Sequence, residues 1–408
     1  MSTSLQDLMR EYEGVKALNL RLDMTRGKPS PEQLALSAEL LDIKEFKAAD
    51  GADCRNYGGL EGLPEARQLF ADYLEATPPE VIVGGNSSLA LMHDVIVQAM
   101  IRGILGKPWV ADGGVPVFLC PVPGYDRHFA ICQRYGIKMI TVAMDDAGPD
   151  MERVEDWVKN PNTVGIWCVP KYSNPTGITY NDEVVRRLAS MQTGNPNFRI
   201  FWDNAYAVHE LATTSESLLN IREECKKVGT ENRVLVFGST SKITFSGAGV
   251  SAVAMSKANL DWFKTGLQVQ TIGPDKLNQL RHVRFLRDMS GIRAHMLSHR
   301  QILAPKFIAA NRMLFQRLGN KGIAGWTQPY GGYFISIKVQ QGCAKRVVEL
   351  AGEVGVKLTP AGATYPYGIN QMDDNIRIAP SFPSVDEVTM AMDVVALCVE
   401  IASYEKRP

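Results

Sequence analysis

Apolar residues fall along the chain in two rhythms. Short runs rich in Val, Ile and Phe recur and break into polar tips: "EVIVGG" (80–85), "VFLCPVPGYDRHF" (117–129), "TVGIWCVPKYSNPTG" (163–177), "FRIFWDNAY" (198–206) and "RVLVFGSTSK" (233–242). Helical patterns alternate with them, as in "NSSLALMHDVIVQAMIRGIL" (86–105), which opens on Asn and Ser, residues suited to cap a helix. Buried strands alternating with helices predict βα units and a mostly parallel sheet with helices on both faces.

The rhythm changes near residue 298. "SHRQILAPKFIAANRMLFQRL" (298–318) predicts one long amphipathic helix with Pro305 as a possible bend. Short strands follow in "GGYFISIKV", "VGVKLTPAG" and "NIRIAPSF", and a closing helix is predicted over 384–403. The expected fold is therefore α/β: a large domain with a mostly parallel sheet sandwiched by helices, plus a smaller α+β domain. The division expected is 1–55 as an N-terminal segment of the small domain, 56–300 as the large domain and 301–408 as the rest of the small one.

Charge and cysteine content remove several function classes. Lys plus Arg and Asp plus Glu both number 44, so no basic excess predicts a nucleic-acid partner. The seven cysteines are scattered without a C-x-x-C pair, which suggests neither a disulfide framework nor a zinc ribbon and fits a reducing compartment. The polar start "MSTSLQDLMREYEGVK" lacks a signal-peptide core, and no apolar run nears the roughly 18 residues of a membrane span. A cytoplasmic protein without membrane attachment is expected. No metal is expected either: His295 and His299 have helical ligand spacing in "AHMLSH", but a helix-surface role is the simpler reading. "GAGVSA" (247–252) fits a dinucleotide fingerprint loosely, without a strand directly before it or an acidic residue about 20 positions on, and "GKP" (106–108) is not a Walker loop.

Ligands of open parallel sheets bind beyond the carboxyl ends of the strands. The residues at those ends are Ser87 and Ser88, Tyr125, Asn174, Asp203 with Tyr206, and Ser239, Ser241 and Lys242. Lys242 stands between apolar or small flanks, where a lysine can have a lowered pKa and attack carbonyls. Asp203 either caps the next helix or pairs with a protonated ring nitrogen of a cofactor. "GGNSS" (84–88) offers free N–H groups and a helix dipole as a phosphate seat, or simply caps. Arg377, between two isoleucines, is either paired structurally or presented to a carboxylate as a fork.

The ordered set "SNPTG", "DNAY", "STSK" and "NIRIAPSF" resembles the fold-type-I pyridoxal-phosphate enzymes of the aspartate aminotransferase superfamily. "LDMTRGKPSPEQL", "VPKYSNPTG" and "STSKITFSGAG" are most similar to the bacterial subgroup Ic aspartate aminotransferases. The resemblance implies pyridoxal 5′-phosphate bound covalently by Lys242, Asp203 at its ring nitrogen, Asn174 and Tyr206 at its phenolic oxygen, and Tyr125 on its face. It further implies Ser87, Ser88, Ser239 and Ser241 at the phosphate, Tyr57 reaching in from the second subunit of a homodimer, Arg377 on the substrate α-carboxylate, and Gly27 where the N-terminal segment closes over the substrate. The implied reaction moves an amino group from an L-amino acid, aspartate or glutamate, to a 2-oxo acid by ping-pong kinetics. Arg26 and Lys28 are candidates for a distal carboxylate. Another donor, aromatic or aliphatic, or a lyase on the same scaffold would keep the same cofactor residues. One departure stands out: Val250 occupies the place where the family usually has a phosphate-binding arginine.

Overall fold

The computed structural model describes residues 4–406. Its eight-stranded sheet has the order β2 (Val81–Val83), β9 (Ser251–Ala254), β8 (Val234–Ser239), β7 (Arg199–Asp203), β6 (Thr163–Cys168), β3 (Val117–Val122), β4 (Lys138–Asp145) and β5 (Gly148–Pro149). From β8 through β4 every pairing is parallel. β9 runs antiparallel to both β8 and β2, so β2 points the same way as the parallel set. Strands β2, β3, β6 and β7 are buried along their whole length, as expected where helices cover both faces of a sheet. The two faces carry separate apolar clusters, one built on Ile166, Ile200 and Val236, the other on Phe118, Phe201 and Phe237. The predicted α/β architecture is thus present.

The smaller unit holds a three-stranded antiparallel sheet, β10 (Ala324–Trp326), β11 (Ile335–Val339) and β13 (Asn375–Ile378), and a parallel pair of β1 (Leu22–Asp23) with β12 (Val356–Lys357). Its core gathers Leu8 and Tyr12 of the first helix, Leu22 and Met24, and the closing helix Val385–Glu405. "VGVKLTPAG" therefore pairs with the N-terminal segment rather than with the three-stranded sheet. Ala48 and Cys54, later in the same N-terminal segment, pack into the larger core. The long helix runs Met289–Leu318 with Pro305 inside it, nine residues earlier in its start than the sequence pattern shows. Asp288 accounts for that start: its side chain accepts from the Gly291 N–H.

"GAGVSA" ends in β9, which pairs antiparallel with β8 after the loop 240–250, so it is not the strand–turn–helix a dinucleotide fingerprint needs. The expectation for the two histidines is corrected. His299 is fully buried and His295 partly so, because the N-terminal segment folds over this helix. Gln33 Nε2 donates to His299 Nδ1 at 2.9 Å, His299 Nε2 lies 3.1 Å from His295 Nε2, and the latter lies 2.8 Å from the Ile243 carbonyl. Among the described residues no group of three or more His, Cys, Asp or Glu could hold a metal, and no helix is long and apolar enough to cross a membrane.

Candidate active site

The strand directions put the ends of β2, β3, β6, β7 and β8 on one rim of the large sheet. A cavity of about 690 Å³ lies there, between the rim and the small unit. It is lined by Ser87, Ser88, Tyr125, Asn174, Asp203, Tyr206, Ser239, Ser241 and Lys242 from the large sheet, by Arg26, Gly27 and Lys28 from the N-terminal segment, and by Arg377 from β13. Every candidate site residue taken from the sequence is in this lining except Tyr57. That tyrosine is 83% exposed and lies elsewhere on the surface, beside a groove formed with Gly58 and Lys276.

Lys242 follows β8 in a short turn, its Nζ 4.8 Å from the centre of the Tyr206 ring. Burial pushes its pKa down; the Asp203 carboxylate opposes that shift. The backbone carbonyl of Lys242 is held from behind by Tyr333 Oη at 3.3 Å and His209 Nε2 at 3.4 Å, and Tyr333 in turn accepts from Gln33 Nε2 at 2.9 Å. Tyr206 is buried, which raises its pKa well above the ordinary phenol value and keeps it a hydrogen-bond donor. Burial, and then the carboxylates of Asp203 and Asp126, push Tyr125 up to about 12.

Asp203, 4% exposed, closes β7. Its Oδ2 lies 3.1 Å from His128 Nε2, whose ring stacks on Trp167 at 4.3 Å and 9°. Its Oδ1 is buried and has no hydrogen-bond partner. The helix-cap alternative for this carboxylate is thereby set aside. A buried carboxylate oxygen without a donor is costly, so the arrangement suits a ligand that brings one.

Asn174 sits in the turn after β6, 3% exposed. Gly177 has φ +74°, and a Cβ there would collide with Pro329, so only glycine fits the turn. Gly27 is constrained by contact instead: a Cβ would stand 2.5 Å from Phe334 Cζ. Arg377 Nη1 donates to Asp126 Oδ1 at 3.2 Å and to Asn174 Oδ1 at 3.4 Å, and Nη2 donates to Thr359 Oγ1 at 3.3 Å. Lys28 Nζ stands 3.8 Å over the Phe382 ring.

The helix Ser88–Arg102 begins on the rim, and the Ser87 side chain makes no capping bond, which leaves its hydroxyl free for the cavity. Ser239 Oγ and Ser241 Oγ are 3.1 Å apart. Val250 is buried in the large core, its N–H donating to Thr240 Oγ1 at 2.9 Å, so it contributes nothing to this lining.

Sequence reasoning missed Asp126, His128, Arg127, Lys357, Thr359 and the buried set Gln33, His209 and Tyr333. Asp126 and His128 carried a usable signal. They stand one and three residues after Tyr125, in the first turn of the helix Asp126–Arg134 that starts on the rim. Arg127 stands between them and shared that signal, and His209 follows Tyr206 by three residues; Gln33, Tyr333, Lys357 and Thr359 reach the site from elements remote from the strand tips.

The family described as aspartate amino-transferase matches residues 1–408. An aspartate aminotransferase of Corynebacterium glutamicum is 47% identical over 405 residues, covering 98% of this chain and 94% of that protein. A 2-aminoadipate transaminase of Thermus thermophilus is 25% identical over 351 residues, covering 85% and 82% of the two chains. Among solved structures, an aspartate transaminase from Corynebacterium glutamicum superimposes with a TM-score of 0.96 at 47% identity, covering 98% of this chain and 96% of that one. The α-aminoadipate aminotransferase of Thermus thermophilus, solved with N-(5′-phosphopyridoxyl)-L-leucine, shares the fold at a TM-score of 0.76 and 19% identity, covering 97% and 95%. With a full-length family match, a close relative and a lysine–aspartate–asparagine–tyrosine rim in the same fold, this chain belongs to the aspartate aminotransferase family and is a pyridoxal-phosphate-dependent aminotransferase.

Proposed function

We propose that the protein transfers the amino group of L-aspartate or L-glutamate to 2-oxoglutarate or oxaloacetate, with ping-pong kinetics, using Lys242, Asp203, Tyr206, Asn174 and Arg377. The observation that carries this reading is the buried, unpartnered Oδ1 of Asp203 in a cavity that also holds Lys242 and Arg377. The residues fit pyridoxal phosphate. Asp203 would meet its ring nitrogen, Asn174 and Tyr206 its phenolic oxygen, and Tyr125 its face. Ser87, Ser88, Ser239, Ser241 and the start of the helix Ser88–Arg102 would hold its phosphate, hydroxyls and N–H groups standing in for the absent arginine. When bound, the cofactor supplies an electron sink for charge developing at the substrate α-carbon.

The chain's own residues do the rest. The Lys242 amine, shifted toward neutrality by burial, is the base that takes the α-proton and the acid that returns it. Arg377 offers its guanidinium edge to the α-carboxylate. Arg26 and Lys28 are the proposed cations for a distal carboxylate, and Arg127 and Lys357 line the same cavity. Tyr57 is proposed to complete the phosphate seat of a second copy in a homodimer, which its exposure supports. The seven cysteines are free and buried, in keeping with a reducing, cytoplasmic setting.

Borohydride reduction of the purified enzyme followed by peptide mapping tests the cofactor site: the label is expected on Lys242. A panel of amino donors, each with and without a 2-oxo acid, tests the reaction. Product release from aspartate or glutamate without any acceptor, over many turnovers, would point to a lyase instead.

A further inference from the structure

Arg377 has little freedom in how it can take a ligand. Its residue is 8% exposed, and Ser336 is its partner in the β11–β13 register. Its Nε is buried and has no hydrogen-bond partner. The Phe334 ring lies 5.1 Å from the guanidinium carbon and covers one face. The edge carrying Nη1 and Nη2 already meets acceptors of the protein. Asp126 Oδ1 lies 3.2 Å from Nη1 and carries the one charge there, Asn174 Oδ1 accepts from the same Nη1 at 3.4 Å, and Thr359 takes Nη2. Asp126 is the first residue of its helix, and its side chain keeps 35% of its surface exposed, so it has room to swing away.

We propose that Asp126 is an internal competitor for the substrate fork: its carboxylate holds Arg377 Nη1, and every amino or 2-oxo acid must displace it or bind beside it. This rests on the reading of Arg377 as the α-carboxylate site. Either outcome for Asp126 opposes binding. Displacement costs an ion pair, and sharing places two carboxylates on one guanidinium. The residue thus holds down the enzyme's affinity for carboxylates, which favours release of product over tight retention. A residue that merely aligned Arg377 would have the reverse effect, since its loss would loosen the fork.

Calorimetric titration of the holoenzyme with two non-reacting carboxylates, propanoate and succinate, separates the two roles. Asp126→Asn and Asp126→Ala are expected to lower both dissociation constants by roughly three- to tenfold, the range of a partly exposed charge pair. The two variants differ in size and helix-capping ability, and thermal melting shows which of them is folded. Asp126→Asn in an Arg377→Lys background is expected to change the constants by less than it does alone, because the two residues share one interaction. Unchanged or raised dissociation constants in folded Asp126 variants overturn the proposal. If Arg377→Ala leaves propanoate binding intact, the fork itself is misassigned, a separate result.

Discussion

His128 Nε2 lies 3.1 Å from Asp203 Oδ2, and the other oxygen of the same carboxylate is buried with no partner. One oxygen is fixed by the protein and the other is left without a donor, on a residue that lines the cavity. Stacking on Trp167 and an edge contact with Tyr125 at 5.0 Å hold the imidazole, so it acts as a rigid strut behind the carboxylate. Replacing Asp203 with Asn should lower kcat by roughly a hundredfold or more, as expected where a charged group that supports the reaction is lost. His128→Asn should cost about tenfold, the weight of one hydrogen bond to a charged group. Cofactor affinity, followed by fluorescence quenching, should weaken in both. A His128 variant with wild-type kcat and cofactor affinity would remove it from the site.

Arg377 is the second test. Truncation to Ala unpairs Asp126 and removes the fork, so kcat/KM for every α-carboxylate donor should fall by roughly a hundredfold or more. Lysine restores charge without a two-point edge and should recover only part of the loss. Equal kcat/KM in wild type and Ala variant, for any donor that reacts, contradicts the assignment.

Acid sensitivity follows from buried histidines. Burial lowers His299 and His282 from 6.5 to about 4 each. Both are neutral in the folded protein, while the unfolded chain binds protons below 6.5. Stability is therefore complete above that value and is lost as pH falls through about 4. Each histidine contributes up to about 3 kcal/mol to the loss. Urea unfolding at pH 7.5 and pH 5 should show it. His299→Gln should lower stability at pH 7.5, where it disturbs the bond from Gln33, yet flatten the decline toward pH 5. A variant with the wild-type slope would mean His299 is not one of the titrating groups.

Tyr57 offers the test of assembly. It does not line the cavity of its own chain, so a direct contact with the cofactor needs the cavity of another copy. Light scattering should give a dimer, and Tyr57→Phe should weaken cofactor binding by about tenfold. A fully active monomer would end that expectation.

The site was partly legible because a parallel sheet makes position in sequence a proxy for position in space. Each tip after a Val, Ile or Phe run marks the same rim, and so Asn174, Asp203 and Lys242 could be collected without coordinates. β4 escaped because its burial is interrupted by exposed positions, unlike the fully buried strands beside it. β9, "SAVA", escaped because three of its four residues are small rather than β-branched or aromatic. The histidines of the long helix were misread for a related reason. "AHMLSH" sits at the start of a helix whose covering, the segment with Gln33 and Ser37, lies about 260 residues away in sequence.

What the sequence determined by itself is the βα rhythm, the rim and the chemical kinds gathered on it, because strand periodicity and turn residues are local. What only the tertiary structure decided is which partner each charge meets. Asp203 gets one paired and one unpaired oxygen, Arg377 gets Asp126 beside Asn174 and Thr359, and the Lys242 carbonyl gets Tyr333. Those contacts depend on distances between segments far apart along the chain, and no local pattern encodes them.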